Sequence, residues 1–174
     1  MMTFRSEWAL NQYLKQCATE AVNILTDRIY NKLIEFIQED IYDTYPEPEF
    51  PIRYDRTYQF KEKAWIKEMA TEISNAMVSS INYFPSGMVY NQSKGQHGSP
   101  WGKDRRKELA AILNRGGTWD WTDWDWGRVH DEQSEGYRIY PKPFWDDTIE
   151  WILDNWDKEV IKAFKQVGLN VKKG

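Results

Sequence analysis

The side chains most able to do chemistry are concentrated in one run of the sequence. Residues 119–127 read Trp-Asp-Trp-Thr-Asp-Trp-Asp-Trp-Gly, in which four indoles alternate with three carboxylates. Such residues could stack on sugar rings and bind their hydroxyls, or supply the paired acids of a glycosidase. They could also hold calcium, but Gly127 and the lack of a Glu at the twelfth position break the calcium-loop template.

We interpret this run first as packing or a subunit interface, second as ligand binding, and last as catalysis. For sugar hydrolysis, two acids must flank one bond in different environments, and local sequence does not establish that arrangement. The indoles expected at an interface are Trp119, Trp121, Trp124 and Trp126. Trp101, in an earlier Gly-rich segment, is expected to join them.

A second candidate for chemistry is the pair His97 and Ser99 in the Gly/Ser-rich segment 91–102, which we predict to be a loop. Residues this close on a loop rarely place a hydroxyl against an imidazole, and no nucleophile elbow surrounds Ser99. We therefore interpret His97 as fixing the loop through backbone hydrogen bonds. The following segment 98–103 is not a phosphate loop, because its glycine spacing is one residue short and Asp104 replaces the required hydroxyl.

Basic and sulfur-containing residues complete the search. Lys103, Arg105, Arg106 and Lys107 could contact phosphates, but acidic neighbours favour a solvated face or one half of a charged protein contact. Cys17 is the only cysteine, which excludes an intramolecular disulfide and a multi-cysteine zinc site. We predict no catalytic residue, cofactor or metal, and a protein that is not an enzyme.

The composition fits one ordinary globular domain, 1–174. The chain has 174 residues, of which 41% are hydrophobic and 29% charged, with a net charge of −4. It lacks the run of roughly 18–20 apolar residues that a membrane helix needs, and its N-terminus does not resemble a secretory signal. We expect a soluble product made in the cytoplasm. Aromatic residues make up 16%, more than one core needs, so some are expected to face a partner.

Charge alternates in blocks along the chain. Residues 1–60 sum to −4, 61–118 to +4, 119–157 to −8 and 158–174 to +4. A nucleic-acid groove would need one dominant basic face. Alternating blocks are more typical of complementary protein surfaces, with solvated charge as the alternative.

The elements that must position these residues begin with a long helix. Apolar residues recur at helical steps over 1–44, Thr3 or Ser6 could cap the start, and three prolines within 46–51 end it. Segment 45–141 is predicted to hold a small sheet and loops. Within it, 61–84 is ambiguous, because steps of four from Trp65 to Met77 favour a helix, whereas 76–84 favours a strand.

The remaining predicted elements are a short helix over 103–114, a short strand over 137–140 and a C-terminal helix over 142–168. The last has prolines before it and Gly168 after it. Its apolar stripe is expected to pack inward: Trp145, Ile149, Ile152, Trp156, Val160, Phe164 and Val167. The fold class is α+β, with long N- and C-terminal helices packed on a small antiparallel sheet, an inserted short helix and Trp-rich loops.

The order of several short motifs resembles the minor structural proteins of tailed bacteriophages, which include tail-component, minor capsid and neck proteins of the head–tail connector region. The resemblance extends from about residue 42 to 169 and does not include the Trp-Asp run. The motifs are Tyr54–Phe60, Gln96–Ser99, Arg105 or Arg106 with Leu109–Asn114, Pro143–Asp146 and Gly168-Leu169.

This resemblance implies a non-enzymatic virion protein at the head–tail junction. Such a subunit would form a sixfold or twelvefold ring, joining the portal-side connector to a tail terminator or tail tube protein, close to packaged DNA. In this view Asp55, Arg56 and Thr57 form a structural turn, with Asp55 capping backbone amides and Arg56 reaching a carboxylate or carbonyl. The alternative is a carbohydrate-binding or carbohydrate-active domain built on Trp119–Trp126.

Overall fold

The computed structural model describes residues 4–43, 58–88, 106–115, 117–119, 137–139 and 142–172. Their order is α1 (Glu7–Ile37), a π-helical turn (Gln38–Tyr42), α2 (Gln59–Glu62), β1 (Trp65–Ile73), β2 (Ala76–Tyr83) and a 3-10 turn (Pro85–Gly87). Then follow α3 (Leu109–Arg115), β3 (Gly117–Trp119), β4 (Tyr137–Ile139) and α4 (Phe144–Gln166). Long helices at both ends with small antiparallel sheets confirm the predicted α+β class. No helix in these ranges is long and apolar enough to cross a membrane.

Helix α1, Glu7–Ile37, is shorter than the predicted 1–44. Ser6 caps it, since the Ser6 Oγ accepts the Ala9 N–H at 3.2 Å and thereby satisfies one of the free amides of the first turn. The helix begins at Glu7 and does not include residues 4–6. At its other end the Asp43 N–H donates to the Gln38 carbonyl at 2.9 Å, so the chain widens into a π-helical turn up to Tyr42.

Within the ambiguous segment 61–84, the predicted strand is confirmed as β2, whereas the helical interpretation of Trp65–Met77 is wrong. Only Gln59–Glu62 is helical, and β1 and β2 form a hairpin whose turn is Ser74-Asn75. Both turn residues have positive φ, 49° and 66°, as a two-residue type I′ turn requires. The apolar steps of four were misleading because Met69 and Ile73 are 70% and 55% exposed and belong to no helical core.

Helix α3 begins later than predicted, at Leu109, and ends at Arg115. A turn over 106–108 precedes it, and 103–105 lie outside the described residues. The predicted short strand is confirmed for 137–139, where Tyr137, Arg138 and Ile139 pair antiparallel with Trp119, Thr118 and Gly117.

Helix α4 ends in the way its sequence predicts. The Leu169 N–H donates to the Phe164 carbonyl at 3.0 Å and the Gly168 N–H to the Lys165 carbonyl at 3.1 Å, with Gly168 at φ +84°. These are the two bonds of a Schellman motif, which needs a left-handed residue after the helix.

The expected inward stripe of α4 is mostly not buried. Trp145, Ile149 and Trp156 are 36%, 40% and 49% exposed. The residues that α4 buries are offset by one position or more along the helix: Phe144, Thr148, Glu159 and Ala163. Helical periodicity identified an apolar face, but the neighbouring elements cover a different one.

The described chain divides into two compact units. Unit 1 contains 4–32, 67–82 and 150–172, and unit 2 contains the other described residues. The buried residues of unit 1 are small or polar: Cys17, Ala21, Thr26, Ala70, Glu159 and Ala163. Unit 2 holds the largest fully buried side chains, including Phe144, Leu33, Ile37 and Met88. Helix α1, the hairpin and α4 each contribute residues to both units. The prediction of a single domain therefore stays a prediction.

Candidate functional site

Most residues singled out by sequence lie outside the described residues. These are Asp55, Arg56, Thr57, His97, Ser99, Trp101, Arg105, Trp121, Trp124 and Trp126. The carbohydrate alternative depends on the same Trp-Asp run and therefore stays a prediction. Within the described ranges, no group of three or more His, Cys, Asp or Glu side chains could hold a metal ion.

Arg106 and Trp119 are the two predicted interface residues within the described ranges. Arg106 is half-buried; its guanidinium donates to the Met88 carbonyl, and its own carbonyl accepts the Tyr83 hydroxyl. Arg106 therefore joins the turn before α3 to the end of the hairpin instead of lying on a fully solvated face. Trp119 is the last residue of β3 and pairs with Tyr137.

Unit 2 is organised around a cluster of aromatic rings. Phe60 lies edge-on to Trp65 and Phe144, with centroid distances of 5.8 and 5.6 Å, and Tyr83 lies 5.1 Å from Trp65. Trp145 stacks on Trp65 at 5.6 Å with 13° between the planes. Such ring pairs contribute packing energy beyond their buried area. The cluster is therefore structural. The periodicity of the sequence did not predict that these rings would meet.

Helix α3 also helps to start α4. The side-chain oxygen of Asn114 accepts the Trp145 N–H at 3.0 Å, and its amide nitrogen donates to Asp146 at 3.0 Å. The buried Asn114 side chain thus accepts a backbone N–H that has no partner within the first turn of α4. It also holds Asp146, an acidic residue of the kind favoured at a helix start.

Two titratable residues of unit 2, Asp40 and Lys142, have shifted pKa values. Burial raises the pKa of Asp40, and so do the charge of Asp147, a hydrogen bond with it and the charge of Glu39, whereas Lys142 opposes the shift. Burial lowers the pKa of Lys142, and Asp40 opposes that shift. Two carboxyl groups that share a hydrogen bond favour keeping one proton between them. The Asp40 and Asp147 carboxyl groups can therefore respond to pH.

Two residues after Asp40, Tyr42 stacks on Tyr58 at 4.7 Å, and the Lys61 ammonium lies 5.8 and 5.4 Å from the two ring centres. Lys61 also donates to Gln38 Oε1 at 2.7 Å. Tyr58 has φ 51°, an unfavourable value for an aromatic residue. Stacking and the cation–π contacts help to offset that cost.

In unit 1, α1 and α4 are joined by a partly buried ionic network. Glu159, 8% exposed, accepts Arg28 at 2.9 Å and Lys162 at 2.7 Å, and Arg28 also reaches Gln166 at 2.6 Å. The hydrogen bond from Lys162 is the main reason that the pKa of Glu159 is lowered, burial opposes it, and the charges of Lys162, Arg28 and Lys158 add to it. The network orients the two helices.

The hairpin lies on α1 through polar contacts. The Ala70 N–H donates to Asn23 Oδ1 at 2.7 Å, Thr26 and Ser79 share a hydrogen bond, and Lys15 pairs with Glu72 at 2.8 Å. Alongside these polar contacts, Met69 and Ile73 of the hairpin remain exposed.

Several large apolar side chains of unit 1 face solvent. Leu153 is 74% exposed, Trp8 72% and Met69 70%, and each lies on a helix or strand of unit 1. On α4, Leu153 and Trp156 lie one turn apart and are 74% and 49% exposed, and neighbouring exposed apolar side chains are typical of a surface for another molecule. Sequence reasoning missed all three residues. Leu153 stands beside the periodic stripe of α4, and exposure is a property that periodicity alone does not reveal.

Comparison with known proteins identifies the family of this α+β chain. The model of the YomN family matches residues 8–169, nearly the whole chain, so the protein belongs to the YomN family. This is a phage-derived family of the SPbeta-prophage type, and the chain is a phage-associated protein. No curated protein and no solved structure matches the chain significantly.

Proposed function

We propose that this chain is a structural virion protein of a tailed bacteriophage, a ring-forming neck or tail-completion subunit without enzymatic activity. Its place would be the head–tail junction, between the portal-side connector and a tail terminator or tail tube protein. Membership of a phage-derived family and the order of the short motifs support this assignment.

The observation that carries the proposal is the exposure of large apolar side chains on the helices and the hairpin of unit 1. Its buried residues are small or polar, whereas Trp8, Met69 and Leu153 are at least 70% exposed. A free monomer gains little from the exposed side chains, because hydrophobic stabilisation requires large apolar surfaces to leave water. A subunit that buries these side chains against neighbours gains this energy on assembly.

A ring requires that one face of each subunit meet a different face of the next. The alternating charge blocks, −4, +4, −8 and +4, suit contacts between unlike faces. Sixfold and twelvefold rings both satisfy this condition.

The test is deletion of the gene from the phage that encodes it, followed by electron microscopy of the lysate. We expect filled heads and separate tails, with few joined particles, and recovery of joined particles when the gene is supplied in trans. Mass spectrometry of purified wild-type virions should detect the chain. Complete, infectious particles from the deletion, or virions that lack the chain, would contradict the proposal.

A further inference from the structure

Asp40 and Asp147 bring two carboxyl groups together where the end of α1 meets the start of α4, within unit 2. We propose that this pair is a pH-sensitive switch. A proton shared by the two carboxyl groups holds the π-helical turn Gln38–Tyr42 against α4, and ionisation of both groups releases the turn. The switch belongs to the folded chain alone, so it does not depend on the proposed function.

The hydrogen bond between the Asp40 and Asp147 side chains requires a proton. An ionised carboxylate can only accept hydrogen bonds, so two carboxyl groups bond to each other only while one of them is protonated. When that proton leaves, the bond is lost and two like charges face each other at short range. The contact between the two elements therefore changes from attractive to repulsive as the pH rises.

Both carboxyl groups come from the packed sides of their elements. Asp40 follows the fully buried Ile37 by three residues, and its Oδ2 atom is buried. Asp147 follows Phe144, which is 1% exposed, by the same three residues. Residues at this spacing share a helix face, so both half-buried carboxyl groups lie where the elements meet. Water solvates charge poorly at such a place, which favours the protonated pair.

Other charged groups act on Asp40 from the elements around it. Burial and then Asp147 raise the pKa of Asp40, the charge of Glu39 on the same turn adds to this, and Lys142 opposes it. From α2, Lys61 donates to Gln38 Oε1 at 2.7 Å, so its ammonium is held by the π-helical turn. Lys142 is therefore the cation that favours the released state.

The start of α4 is anchored to α3 by bonds that the switch does not use. The Lys142 N–H donates to the Leu113 carbonyl at 2.8 Å, and the Trp145 N–H donates to Asn114 Oδ1 at 3.0 Å. The Asn114 amide also donates to Asp146 at 3.0 Å. Loss of the shared proton should therefore leave the first turn of α4 in place and loosen the end of α1.

The π-helical turn supplies a direct reporter of its own release. The Asp43 N–H donates to the Gln38 carbonyl at 2.9 Å, and the Gln38 side-chain amide donates to Asp43 Oδ1 at 2.6 Å. Single π-helical turns of this kind are rare and occur frequently at functional sites. The Asp43 amide should exchange with solvent whenever the turn opens, whereas the Trp145 amide should report on the start of α4.

The experiment is hydrogen exchange of the full chain, followed by NMR and corrected for the intrinsic rate at each pH. Between about pH 4 and the raised pKa of Asp40, protection of the Asp43 amide should fall up to about tenfold per pH unit and then level off. Protection of the Trp145 amide should not follow this change. The turn is thus held in acid and released as the pH approaches neutrality.

Four variants test the role of the shared proton. In Asp40→Asn and in Asp147→Asn, the new amide can donate to the remaining carboxylate at any pH, so Asp43 should stay protected throughout. Lys142→Gln removes the cation that favours ionisation and should move the fall in protection to higher pH. Asp154→Asn removes an exposed carboxylate of α4 and is the matched control, which should behave as the wild type does.

Several results would overturn the switch. Protection of the Asp43 amide that does not change with pH would do so, and so would a fall that persists in both asparagine variants. A parallel fall at Trp145 would contradict release at the end of α1, and a shift to lower pH in Lys142→Gln would contradict the assigned charges. Circular dichroism should confirm that each variant is folded. Because the isolated chain is measured, failure of the switch would leave the proposed function intact.

Discussion

Asp40 is the residue whose protonation should respond most directly to pH. Its folded pKa is raised by burial and by Asp147, so the protonated form stabilises the fold. That contribution is fully present below the unfolded value, about 4, and is lost as the pH rises through the raised pKa of Asp40. The gain in stability from a neutral side chain in place of Asp40 should therefore be largest near neutral pH.

We expect Asp40→Asn to gain stability relative to the wild type as the pH rises from about 4 to 7, by less than about 1 kcal/mol because the site is partly solvated. Urea unfolding across this range measures the difference. Glu20→Gln, which removes an exposed carboxylate of α1, is the control and should show no such trend. A constant difference between Asp40→Asn and the wild type at every pH would contradict the assignment.

Glu159 should have the opposite pH dependence. Its folded pKa is lowered, chiefly by the Lys162 hydrogen bond, so its contribution is present above about pH 4.3 and is lost as the pH falls through the folded pKa. We expect Glu159→Gln to cost about 1–3 kcal/mol at neutral pH and to reduce the loss of stability in acid. Glu72→Gln, which breaks the exposed pair with Lys15, should cost about 0–1 kcal/mol. Equal costs for the two variants would rule out a special role for the buried pair.

At the scale of elements, substitutions in the hairpin turn should increase the stability of the fold. Ser74 and Asn75 adopt positive φ without glycine, and this limits their fit to a type I′ turn. We expect the double change Ser74→Asn and Asn75→Gly to stabilise the fold by about 0.5–1 kcal/mol. Ser74→Pro, which fixes φ near −65°, should disrupt the hairpin. Thermal unfolding checks both, and tolerance of proline at 74 would refute the turn geometry.

Gly168, after the end of α4, allows the cost of a positive φ to be measured without a steric contribution. A Cβ added to Gly168 would meet only the Tyr13 hydroxyl, at an ordinary 3.8 Å, so Gly168→Ala should cost about 1 kcal/mol for the positive φ alone. A Cβ on Gly87 would approach the Lys63 carbonyl oxygen to 2.1 Å, so Gly87→Ala should cost clearly more. Chemical denaturation ranks the two variants, and the reverse order would contradict the structure.

The elements also show which sequence signals were sufficient. Ser6 at the start of α1, the prolines before α4 and Gly168 after it mark helix ends, because capping and backbone restriction depend on a few adjacent residues. The hairpin was missed because its turn contains neither Gly nor Pro. The aromatic cluster of Phe60, Trp65 and Phe144 was missed because it joins residues that are far apart in the chain.

At the scale of the whole molecule, α1, the hairpin and α4 each supply residues to both compact units. Because no unit is made of one continuous segment, we expect one cooperative unfolding transition, as a single domain requires. Leu33→Ala in unit 2 should cost about 2–5 kcal/mol and shift the same transition that Glu159→Gln shifts in unit 1. Calorimetry measures this. Two separate transitions, each affected by one variant, would instead indicate two domains.

The sequence by itself determined the α+β class, the end of α4 at Gly168, the lack of an intramolecular disulfide and the resemblance to phage structural proteins, because these depend on composition and local order. The tertiary structure alone decided which apolar residues are buried. The first turns of α1 and the outer face of α4 carry apolar side chains at the same spacing as their buried counterparts. Whether Trp8, Leu153 and Trp156 belong to a core or to an interface depends on which elements pack on them. A periodic pattern shows that a helix has an apolar face, but it does not show which element packs on that face.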